Sequence, residues 1–293
     1  MDISGKRVLI TGAASGIGRA TAIAAAKLGA EVQLTDRDSA GLAETAAEIT
    51  ASGGRVGVVR AADITDLEAV RALAEEIHGH GDRPNSVDVV MNVAGISAWG
   101  TVDRLEHRHW RSMVEVNLMG PIHVIESFVP AMIAAKRGGH LVNVSSAAGL
   151  VGLPWHAAYS ASKFGLRGVS EVLRFDLREH KIGVSLVCPG GVDTPLTDTV
   201  EIAGVDKTNP GFRRLQAHFR KRAVTPEQAA AAILRGVRHN RYLIYTSRDI
   251  QALHLTQNLF PPAYNAIMRT MNFAMRKALP PVKTQASAEK VAS

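Results

Sequence analysis

The feature that most constrains this chain is a regular alternation of short apolar runs with helix-length amphipathic segments. Several runs are almost continuously apolar, as expected for strands that are covered on both faces, and strands alternating with helices are typical of βαβ units. The sequence therefore predicts a doubly wound α/β fold, in which helices flank a parallel β-sheet. The seven strand-like runs are RVLI at 7–10, EVQLT at 31–35, RVGVVRA at 55–61, DVVMNVA at 88–94, HLVNVS at 140–145, GVSLVC at 183–188 and YLIYT at 242–246.

Helical patterns fill the intervals between these strands. No internal repeat or linker separates a second domain, so residues 1–248 are expected to form one domain, with a substrate loop at about 195–222. A helical extension follows at 249–279, and residues 280–293 are predicted to be disordered. Within the domain, helices are predicted at 16–28, 39–52, 66–78, 107–136, 156–179 and 226–240, and the fourth has a candidate break at Gly120-Pro121. In the extension, helices are predicted at 249–260 and 263–279, separated by Pro261-Pro262.

Composition narrows the class of protein further. Apolar residues make up 46% of the 293 residues and charged residues 21%, which argues against a disordered or coiled-coil chain. The single cysteine, Cys188, cannot form an internal disulfide and has no zinc-ligand spacing around it. Because no secretory signal pattern or unbroken apolar run of about 18 residues is present, we expect a cytoplasmic protein.

The net charge of +7 is unevenly distributed. Residues 1–206 carry 19 basic and 24 acidic side chains, a net charge of −5, whereas residues 207–293 carry 15 and 3, a net charge of +12. Solvated arginines on helix faces are one explanation, and a surface for lipid headgroups or an acidic partner is the other. The extension also has an apolar stripe, more typical of a packing or subunit face than of a membrane anchor, formed by Tyr264, Ile267, Met268, Met271 and Met275.

A glycine-rich turn follows the first strand and opens the first helix. Glycines at this place let the backbone approach a pyrophosphate, and the helix N-terminus offers free N–H groups to it. The acidic residue Asp36 ends the second strand about twenty residues further on, where a ribose hydroxyl would lie. The candidate dinucleotide-binding residues in this turn are Thr11, Gly12, Ser15, Gly16, Ile17 and Gly18.

The TGxxxGxG spacing of this turn resembles that of the classical short-chain dehydrogenase/reductase family, which has a Rossmann-type fold. The resemblance extends over about residues 5–247, with the motifs in family order. It implies that Asp63, beside Ile64, contacts adenine, and that Asn92-Val93-Ala94-Gly95 is the family's NNAG turn, with Val93 replacing the second asparagine. The segment beside the nicotinamide would contribute Pro189, Gly190, Val192 and Thr194.

The same resemblance implies a catalytic set of Asn117, Ser146, Tyr159 and Lys163. Tyr159 and Lys163 form the family's YxxxK motif, and the family's thirteen-residue separation from this tyrosine selects Ser146 over Ser145. By the resemblance, Ser146 orients the substrate oxygen, Asn117 holds a water in a proton relay, and Lys163 also binds the nicotinamide ribose.

Tyr159 is expected to be the base that takes the hydroxyl proton as an alcohol loses its hydride. A phenol with a pKa of about 10 is too weakly ionised for this work near neutral pH. Residues four apart share one face of a helix, so the Lys163 ammonium can lie near Tyr159 and stabilise the phenolate.

Charge favours NAD as the cofactor. Asp36 can accept hydrogen bonds from the ribose hydroxyls and would repel a 2′-phosphate, and Ser15 supplies no cation in the glycine turn. Arg37 leaves NADP open, because its guanidinium could pair with that phosphate; otherwise it lies over the adenine or points into solvent.

The segments that line the substrate pocket in this family are mostly apolar or aromatic here. This composition favours a lipophilic alcohol or ketone, such as a steroid-like, terpenoid or long-chain compound, although several of the residues could simply pack the core. Besides Ser146 and Tyr159, the candidate substrate-contacting residues are Ile96, Trp99, Leu153, Trp155 and His156.

The sequence thus predicts an NAD-dependent oxidoreductase that interconverts a lipophilic secondary alcohol and a ketone. The alternatives are an NADP-dependent carbonyl reductase and a non-catalytic nucleotide-binding or membrane-docked interaction protein, against which the intact catalytic set weighs. The resemblance also implies a homodimer or homotetramer. We expect no metal and no nucleic-acid partner, and membrane contact by the extension is the less favoured interpretation.

Overall fold

A seven-stranded parallel sheet forms the centre of the computed structural model, which describes residues 1–79 and 86–279. The strands are β1 (Arg7–Thr11), β2 (Glu31–Asp36), β3 (Arg55–Ala61), β4 (Val89–Asn92), β5 (Ala98–Trp99), β6 (Gly139–Val144), β7 (Ile182–Cys188), β8 (Glu201–Ile202) and β9 (Leu243–Tyr245). The order in the sheet is β3-β2-β1-β4-β6-β7-β9, and all of its pairs are parallel. The predicted doubly wound fold is therefore confirmed.

Helices cover both faces of the sheet. They are α1 (Gly16–Lys27), α2 (Ser39–Ala51), α3 (Leu67–Gly79), α4 (His107–Val114), α5 (Gly120–Ala135), α6 (Ala157–Asp176), α7 (Leu196–Thr199), α8 (Pro210–Arg222), α9 (Pro226–Arg238), α10 (Arg248–Leu259) and α11 (Pro261–Ala278). α11 begins at Pro261 rather than at the predicted residue 263, because proline is well accommodated in the first turn of a helix.

The central strands are largely apolar because they contribute to cores on both faces of the sheet. Along β1, Val8 and Ile10 pack into the core on one face of the sheet, whereas Leu9 packs into the core on the other face. All three are completely buried, and burying such a side chain contributes roughly 1.5–3 kcal/mol to stability. This two-sided burial is the reason that the strands show no alternation of apolar and polar residues.

The long helical segment His107–Ala135 is not broken at Gly120-Pro121, contrary to the candidate break. α4 continues into a wider π-helical turn, Glu115–Met119, and then into α5, so the irregularity is centred on Asn117. By length and composition alone this segment could cross a membrane. Its apolar character is explained by the core, because Val124, Phe128 and Met132 are buried beneath the sheet.

The segment predicted as a substrate loop at 195–222 contains regular structure. It forms α7, β8 and α8, and β8 pairs in parallel with β5 as a small separate sheet. The Glu201 carboxylate accepts a hydrogen bond of 2.6 Å from Arg108 and lies 2.9 Å from His109 Nε2, which connects β8 to α4. Two-residue strands are too short to give a periodicity, so the sequence pattern did not indicate this pair.

The C-terminal extension packs against the main domain through part of its predicted stripe. Tyr264 and Met275 contact the apolar clusters beneath α11, but Ile267 is 42% exposed and does not belong to the packed face. The prediction of disorder at 280–293 lies outside the described residues.

Candidate active site

The carboxyl ends of β1 and β4 bring the predicted motifs to one edge of the sheet. From these two adjacent strands the chain winds outward in opposite directions, to β3 on one side and to β9 on the other. In open α/β sheets such a switch point forms the crevice that binds ligands. The glycine turn after β1 and the Asn92–Gly95 turn after β4 meet at this point.

The two turns are in direct backbone contact. Gly12 has a φ of 71°, and a Cβ at this position would lie 2.8 Å from the Ala94 backbone, so only glycine fits. The Thr11 hydroxyl accepts hydrogen bonds from the N–H groups of Val93 (3.0 Å) and Ala94 (3.1 Å). The Thr11 side chain thus joins the two turns, and its contact with a cofactor remains a prediction.

The first helical turn of α1 completes the glycine-rich segment. α1 begins at Gly16, followed by Ile17 and Gly18, and Ser15 is its N-cap residue without a side-chain capping bond. The first N–H groups of a helix have no acceptor within the helix and attract anions. Gly16 also lies against Thr194, whose Cγ2 would be 3.2 Å from a Cβ at position 16, so the Pro189–Thr194 segment reaches the same place.

Asp36 contacts the glycine turn from the end of β2. One carboxylate oxygen accepts a hydrogen bond from the Ala14 N–H and the other from the Asp38 N–H, each at 3.1 Å. A carboxylate offers about four acceptor positions, so this half-buried group keeps capacity for ribose hydroxyls. Arg37 is exposed and forms no ion pair with any residue that the structure describes.

Asp63 and Ile64 follow β3 on the same edge of the sheet. The Asp63 carboxylate accepts hydrogen bonds from the backbone N–H and the hydroxyl of Thr65, which fix the turn. Ile64 is buried, and its carbonyl oxygen lies 2.9 Å from His123 Nδ1. These contacts hold the turn in place beside the crevice.

Asn92 is turned into the protein interior. It is 2% exposed and donates a hydrogen bond of 2.9 Å to the Asn143 side chain, which in turn donates to Ser170. Asn92 therefore supports the turn from inside, between β4 and β6. The sequence Asn143-Val144-Ser145 matches a glycosylation sequon, but Asn143 is completely buried and a glycosylation acceptor must be accessible.

The Pro189–Thr194 segment is fixed to its surroundings by backbone hydrogen bonds. The Pro189 carbonyl accepts from the Ala147 N–H at 2.8 Å, and the Gly190 N–H donates to the Thr246 hydroxyl at 3.3 Å. Val192 is buried and forms a bridge with Val224 in front of α9. The segment thus lies between the residues that follow β6 and the glycine turn.

Asn117 clamps the loop that follows β4. Its Oδ1 accepts from the Ile96 N–H and its Nδ2 donates to the Ile96 carbonyl, both at 2.9 Å. The π-helical turn carries this completely buried side chain into position. In this structure the Asn117 amide therefore positions the loop after β4, and a role in a proton relay remains a prediction.

The two adjacent serines after β6 have different surroundings. The buried Ser145 hydroxyl donates to the Lys163 carbonyl at 2.9 Å. The half-buried Ser146 hydroxyl accepts from the Ala148 N–H at 3.1 Å, which leaves its own proton available for a substrate oxygen. The Ser146 hydroxyl also lies beside the Tyr159 phenol.

Tyr159 and Lys163 lie one turn apart on α6. The Lys163 ammonium is 5.7 Å from the centre of the Tyr159 ring and donates to the Val144 carbonyl at 3.0 Å. Gly95 lies beside the Lys163 ammonium: a Cβ at position 95 would be only 3.4 Å from Lys163 Nζ, so glycine leaves space next to this group. The structure thus brings Tyr159, Lys163, Ser146 and Asn117 to one place.

Burial dominates the electrostatics of this pair. Burial raises the pKa of the Tyr159 phenol, and the Ser146 hydroxyl acts in the opposite direction. Burial also lowers the pKa of Lys163 to about 8, with the Cys188 thiol opposing the shift. At Tyr159 desolvation therefore outweighs the hydrogen bond from Ser146. Stabilisation of the phenolate by the Lys163 ammonium remains a prediction.

Aromatic rings form one wall next to Tyr159. The His156 ring lies 6.2 Å from the Tyr159 ring in an edge-on arrangement and 4.4 Å from the Trp99 ring. Burial lowers the pKa of His156 to about 4, so the ring is neutral near pH 7. Ile96 packs beside Tyr159, and the surface around the phenol is therefore largely apolar.

The remaining predicted substrate residues, Leu153 and Trp155, contact the extension. Leu153 packs in the same cluster as Tyr264, whose hydroxyl accepts a hydrogen bond of 2.9 Å from the Gly152 N–H. The Trp155 indole donates to the Asn272 side chain at 3.2 Å. Sequence reasoning missed Asn272, although its position among the stripe residues of α11 was the available signal.

The donor set at the switch point fits a dinucleotide. Its features are a cradle between Gly12 and Ala94 that a side chain would fill, the free N–H groups of α1, and a carboxylate at the end of β2. Within the described ranges, no three histidine, cysteine or acidic residues are arranged to hold a metal ion.

Comparison with known proteins identifies the family. The family model for short chain dehydrogenase matches residues 6–203, which is more than half of the chain. The chain belongs to the short-chain dehydrogenase/reductase family. It is therefore an oxidoreductase that acts on CH–OH groups and has a nucleotide-binding fold of the Rossmann type.

Individual relatives share most of the chain. The 3beta-hydroxysteroid dehydrogenase of Mediterraneibacter gnavus is 36% identical over 245 residues, covering 78% of this chain and 87% of the relative. A short chain dehydrogenase/reductase from Burkholderia phymatum in complex with NAD superposes with a TM-score of 0.76, at 28% identity and with 97% and 99% of the two chains covered. A metagenomic short-chain oxidoreductase in complex with NADP gives a TM-score of 0.62, at 35% identity and with 80% and 90% covered. This enzyme thus resembles both an NAD-bound and an NADP-bound protein.

Proposed function

We propose that this enzyme oxidises a lipophilic secondary alcohol to a ketone, or catalyses the reverse reduction, with NAD as the hydride carrier. The observation that carries the proposal is the meeting of Ser146, Tyr159 and Lys163 beside the aromatic surface of His156 and Trp99. A polar catalytic group set against apolar walls suits an alcohol carbon on a lipophilic body. The 3beta-hydroxysteroid dehydrogenase among the relatives supports this substrate class.

Tyr159 is proposed to exchange the proton of the reacting hydroxyl. Ser146 donates a hydrogen bond to the substrate oxygen and so orients it toward the phenol. The Lys163 ammonium, held by the Val144 carbonyl, stabilises negative charge that develops on the phenol. Nicotinamide, when bound, supplies the position that accepts or returns the hydride. Asn117 keeps the Ile96 backbone in place beside these groups.

The proposed cofactor site uses both turns and their neighbours. The α1 N-terminus would bind the pyrophosphate, Asp36 the adenine ribose, and Lys163 the nicotinamide ribose. The Asp36 carboxylate favours NAD because it would repel the 2′-phosphate of NADP. The remaining residues proposed to line the site through backbone or side-chain contacts are Ser15, Ile17, Arg37, Asp63, Ile64, Ala94, Gly95, Pro189, Gly190, Val192 and Thr194.

A second candidate is an NADP-dependent carbonyl reductase, which Arg37 favours because it is exposed and forms no ion pair with a described residue. Incubating the protein with NAD or NADP and a panel of steroid, terpenoid and long-chain secondary alcohols, and following absorbance of the reduced cofactor, separates the two. We expect turnover with NAD at a higher kcat/KM than with NADP. A preference for NADP would contradict the cofactor proposal, and absence of turnover with every alcohol and ketone would favour a non-catalytic role.

We also propose a cytoplasmic homodimer or homotetramer. Val172 and Phe175 on α6 are 58% and 60% exposed, which is unusual for large apolar side chains and suits a subunit contact. The extension is proposed to close the substrate side of the site rather than to bind a membrane, because Tyr264 and Asn272 bond to the loop at 152–155. The molecular mass from light scattering tests the assembly.

A further inference from the structure

A hollow lies beyond the aromatic wall that His156 and Trp99 form beside Tyr159. It has a volume of about 240 Å³ and is lined by the segment after β5, the turn after β8, Trp155 and the end of α11. Pockets that enclose a whole ligand usually measure about 300–1,000 Å³. The hollow therefore has the size for one end of a larger molecule.

The floor of this hollow is apolar. Trp155, Val205 and Leu279 belong to one packed cluster, which also contains Val200 and Phe212. Ala203 adds a small apolar side chain to the lining. Such a floor favours a hydrocarbon portion of a ligand and excludes a strongly hydrated one.

The rim of the hollow carries an excess positive charge. Arg104 Nε lies 3.4 Å from the Asp103 carboxylate, whereas Arg276 forms no ion pair within the described part of the chain. The Thr101 hydroxyl, together with Arg104 and Arg276, holds the pKa of the Asp103 carboxyl below its usual range, so this group stays ionised. Two guanidinium groups and one carboxylate leave a net charge of +1.

Aromatic side chains connect the hollow with the catalytic tyrosine. The Tyr159, His156 and Trp99 rings follow one another at 6.2 and 4.4 Å, and Trp99 packs against the same cluster as Trp155. Trp155 has a φ of 68°, which is rare and costly for a bulky residue. Its indole donates to Asn272 of α11, so the extension fixes the Trp155 side of the hollow.

We propose that this hollow is a subsite for a carboxylate at the far end of the lipophilic substrate, with Arg276 as its main ligand. A guanidinium binds a carboxylate through two parallel hydrogen bonds, and a singly charged group balances the rim. The proposal rests on the proposed function and sharpens its substrate class to lipophilic hydroxy acids or oxo acids. The reacting carbon and the carboxylate then lie at opposite ends of the aromatic surface.

The test compares (ω−1)-hydroxy fatty acids of increasing length with their methyl esters as substrates. We expect one chain length at which the acid has a KM at least tenfold below that of the ester. The Arg276→Gln variant should bring the ratio of the two KM values close to one. Arg269→Gln, which removes an exposed arginine two turns earlier on α11 and outside the hollow, is the matched control and should leave the ratio unchanged.

Equal KM values for acid and ester at every length would overturn the subsite, as would an equal effect of the two arginine variants. Turnover of the esters by itself tests the proposed function, so the two can fail separately. If neither compound is turned over, calorimetric titration of the full chain with decanoate and decanamide decides. Tighter binding of decanoate that Arg276→Gln abolishes supports the subsite, and equal affinities refute it.

Discussion

The nucleotide-binding crevice and the C-terminal extension are built in different ways. In the crevice, Gly12 meets Ala94 and Thr11 bonds to Val93 through completely buried strands. In the extension, α11 has no buried residue, and it contacts the loop at 152–155 through hydrogen bonds of the Tyr264 and Asn272 side chains. The comparison indicates that the candidate catalytic groups are held by a buried core, whereas α11, which we propose to close the substrate side, is held by fewer buried contacts.

The largest expected difference between the two regions comes from a pair of tyrosine substitutions. Tyr159→Phe should lower kcat by about 10²- to 10⁴-fold, because it removes the group that exchanges the proton, and should change the Kd for NAD by less than twofold. Tyr264→Phe removes a hydroxyl that bonds to Gly152 and should leave kcat within threefold. Steady-state kinetics and NAD titration measure both. Retention of more than a few per cent of activity by Tyr159→Phe would contradict the assigned chemistry.

Removing the extension should be the next largest change. A chain ending at Ser247 loses the packing of Ile250 and Leu279, each worth roughly 1.5–3 kcal/mol, and the contacts to the loop at 152–155. We expect a lower Tm and a higher substrate KM, with little change in sedimentation with anionic vesicles. A chain ending at Leu279 is the control. Vesicle binding by the full chain that is lost at Ser247 and weakened by salt would instead favour a membrane role.

The buried ammonium of the core predicts a specific pH dependence. Burial lowers the pKa of Lys163 to about 8 from an ordinary value near 10.5, so the unfolded chain binds more protons than the folded one between these pH values. Folding stability therefore gains from rising pH in this window, by up to about 1.4 kcal/mol per pH unit. Between pH 8 and pH 9.5, the free energy of unfolding of the wild type, measured with urea, should rise by about 2 kcal/mol relative to that of Lys163→Met.

The control for this measurement is Lys277→Met in the extension. Lys277 is exposed, and its ammonium stays in water when the chain folds. Its stability difference from the wild type should stay constant over the same pH range. A constant difference for Lys163→Met as well would mean that the ammonium is not desolvated by folding. Lys163→Met should also weaken NAD binding, which the ribose contact requires.

A smaller effect is expected at the ribose end of the crevice. Asp36→Asn removes the charge that repels a 2′-phosphate and keeps an acceptor for the Ala14 N–H, so the ratio of kcat/KM for NADP to that for NAD should rise about tenfold. Asp38→Asn removes the same charge two residues away and retains an N-cap for α2. It should change the ratio less than threefold. Equal effects of the two variants would mean that the preference for NAD over NADP comes from the overall negative charge of this region rather than from Asp36 itself.

The smallest expected effect concerns the bond between Trp155 and α11. Asn272→Ala removes the acceptor of the indole N–H and should destabilise the protein by about 1 kcal/mol. The KM for lipophilic alcohols should rise while the Kd for NAD stays unchanged. Asn265→Ala, two turns earlier on an exposed position of α11, is the matched control. An unchanged KM for Asn272→Ala would separate the extension from substrate binding.

The sequence determined the sheet and the candidate catalytic groups because both depend on local patterns. Strands buried on two faces must be apolar throughout, and a YxxxK spacing places Tyr159 and Lys163 on one helix face whatever else surrounds them. The family's Ser–Tyr separation likewise selected Ser146, and the structure shows the Ser145 hydroxyl already bonded to a carbonyl. These features follow from neighbours in sequence or from the repeat of one structural unit.

Only the tertiary structure decided what surrounds the reacting groups. The π-helical turn that carries Asn117 to Ile96, the pairing of β5 with β8, and the bond from Trp155 to Asn272 join segments 21 to 117 residues apart. The raised pKa of Tyr159 was also not predicted from Lys163, because desolvation depends on every neighbour that excludes water. Short-range patterns encode which groups are present, and long-range packing sets their environment and the shape of the space that selects a substrate.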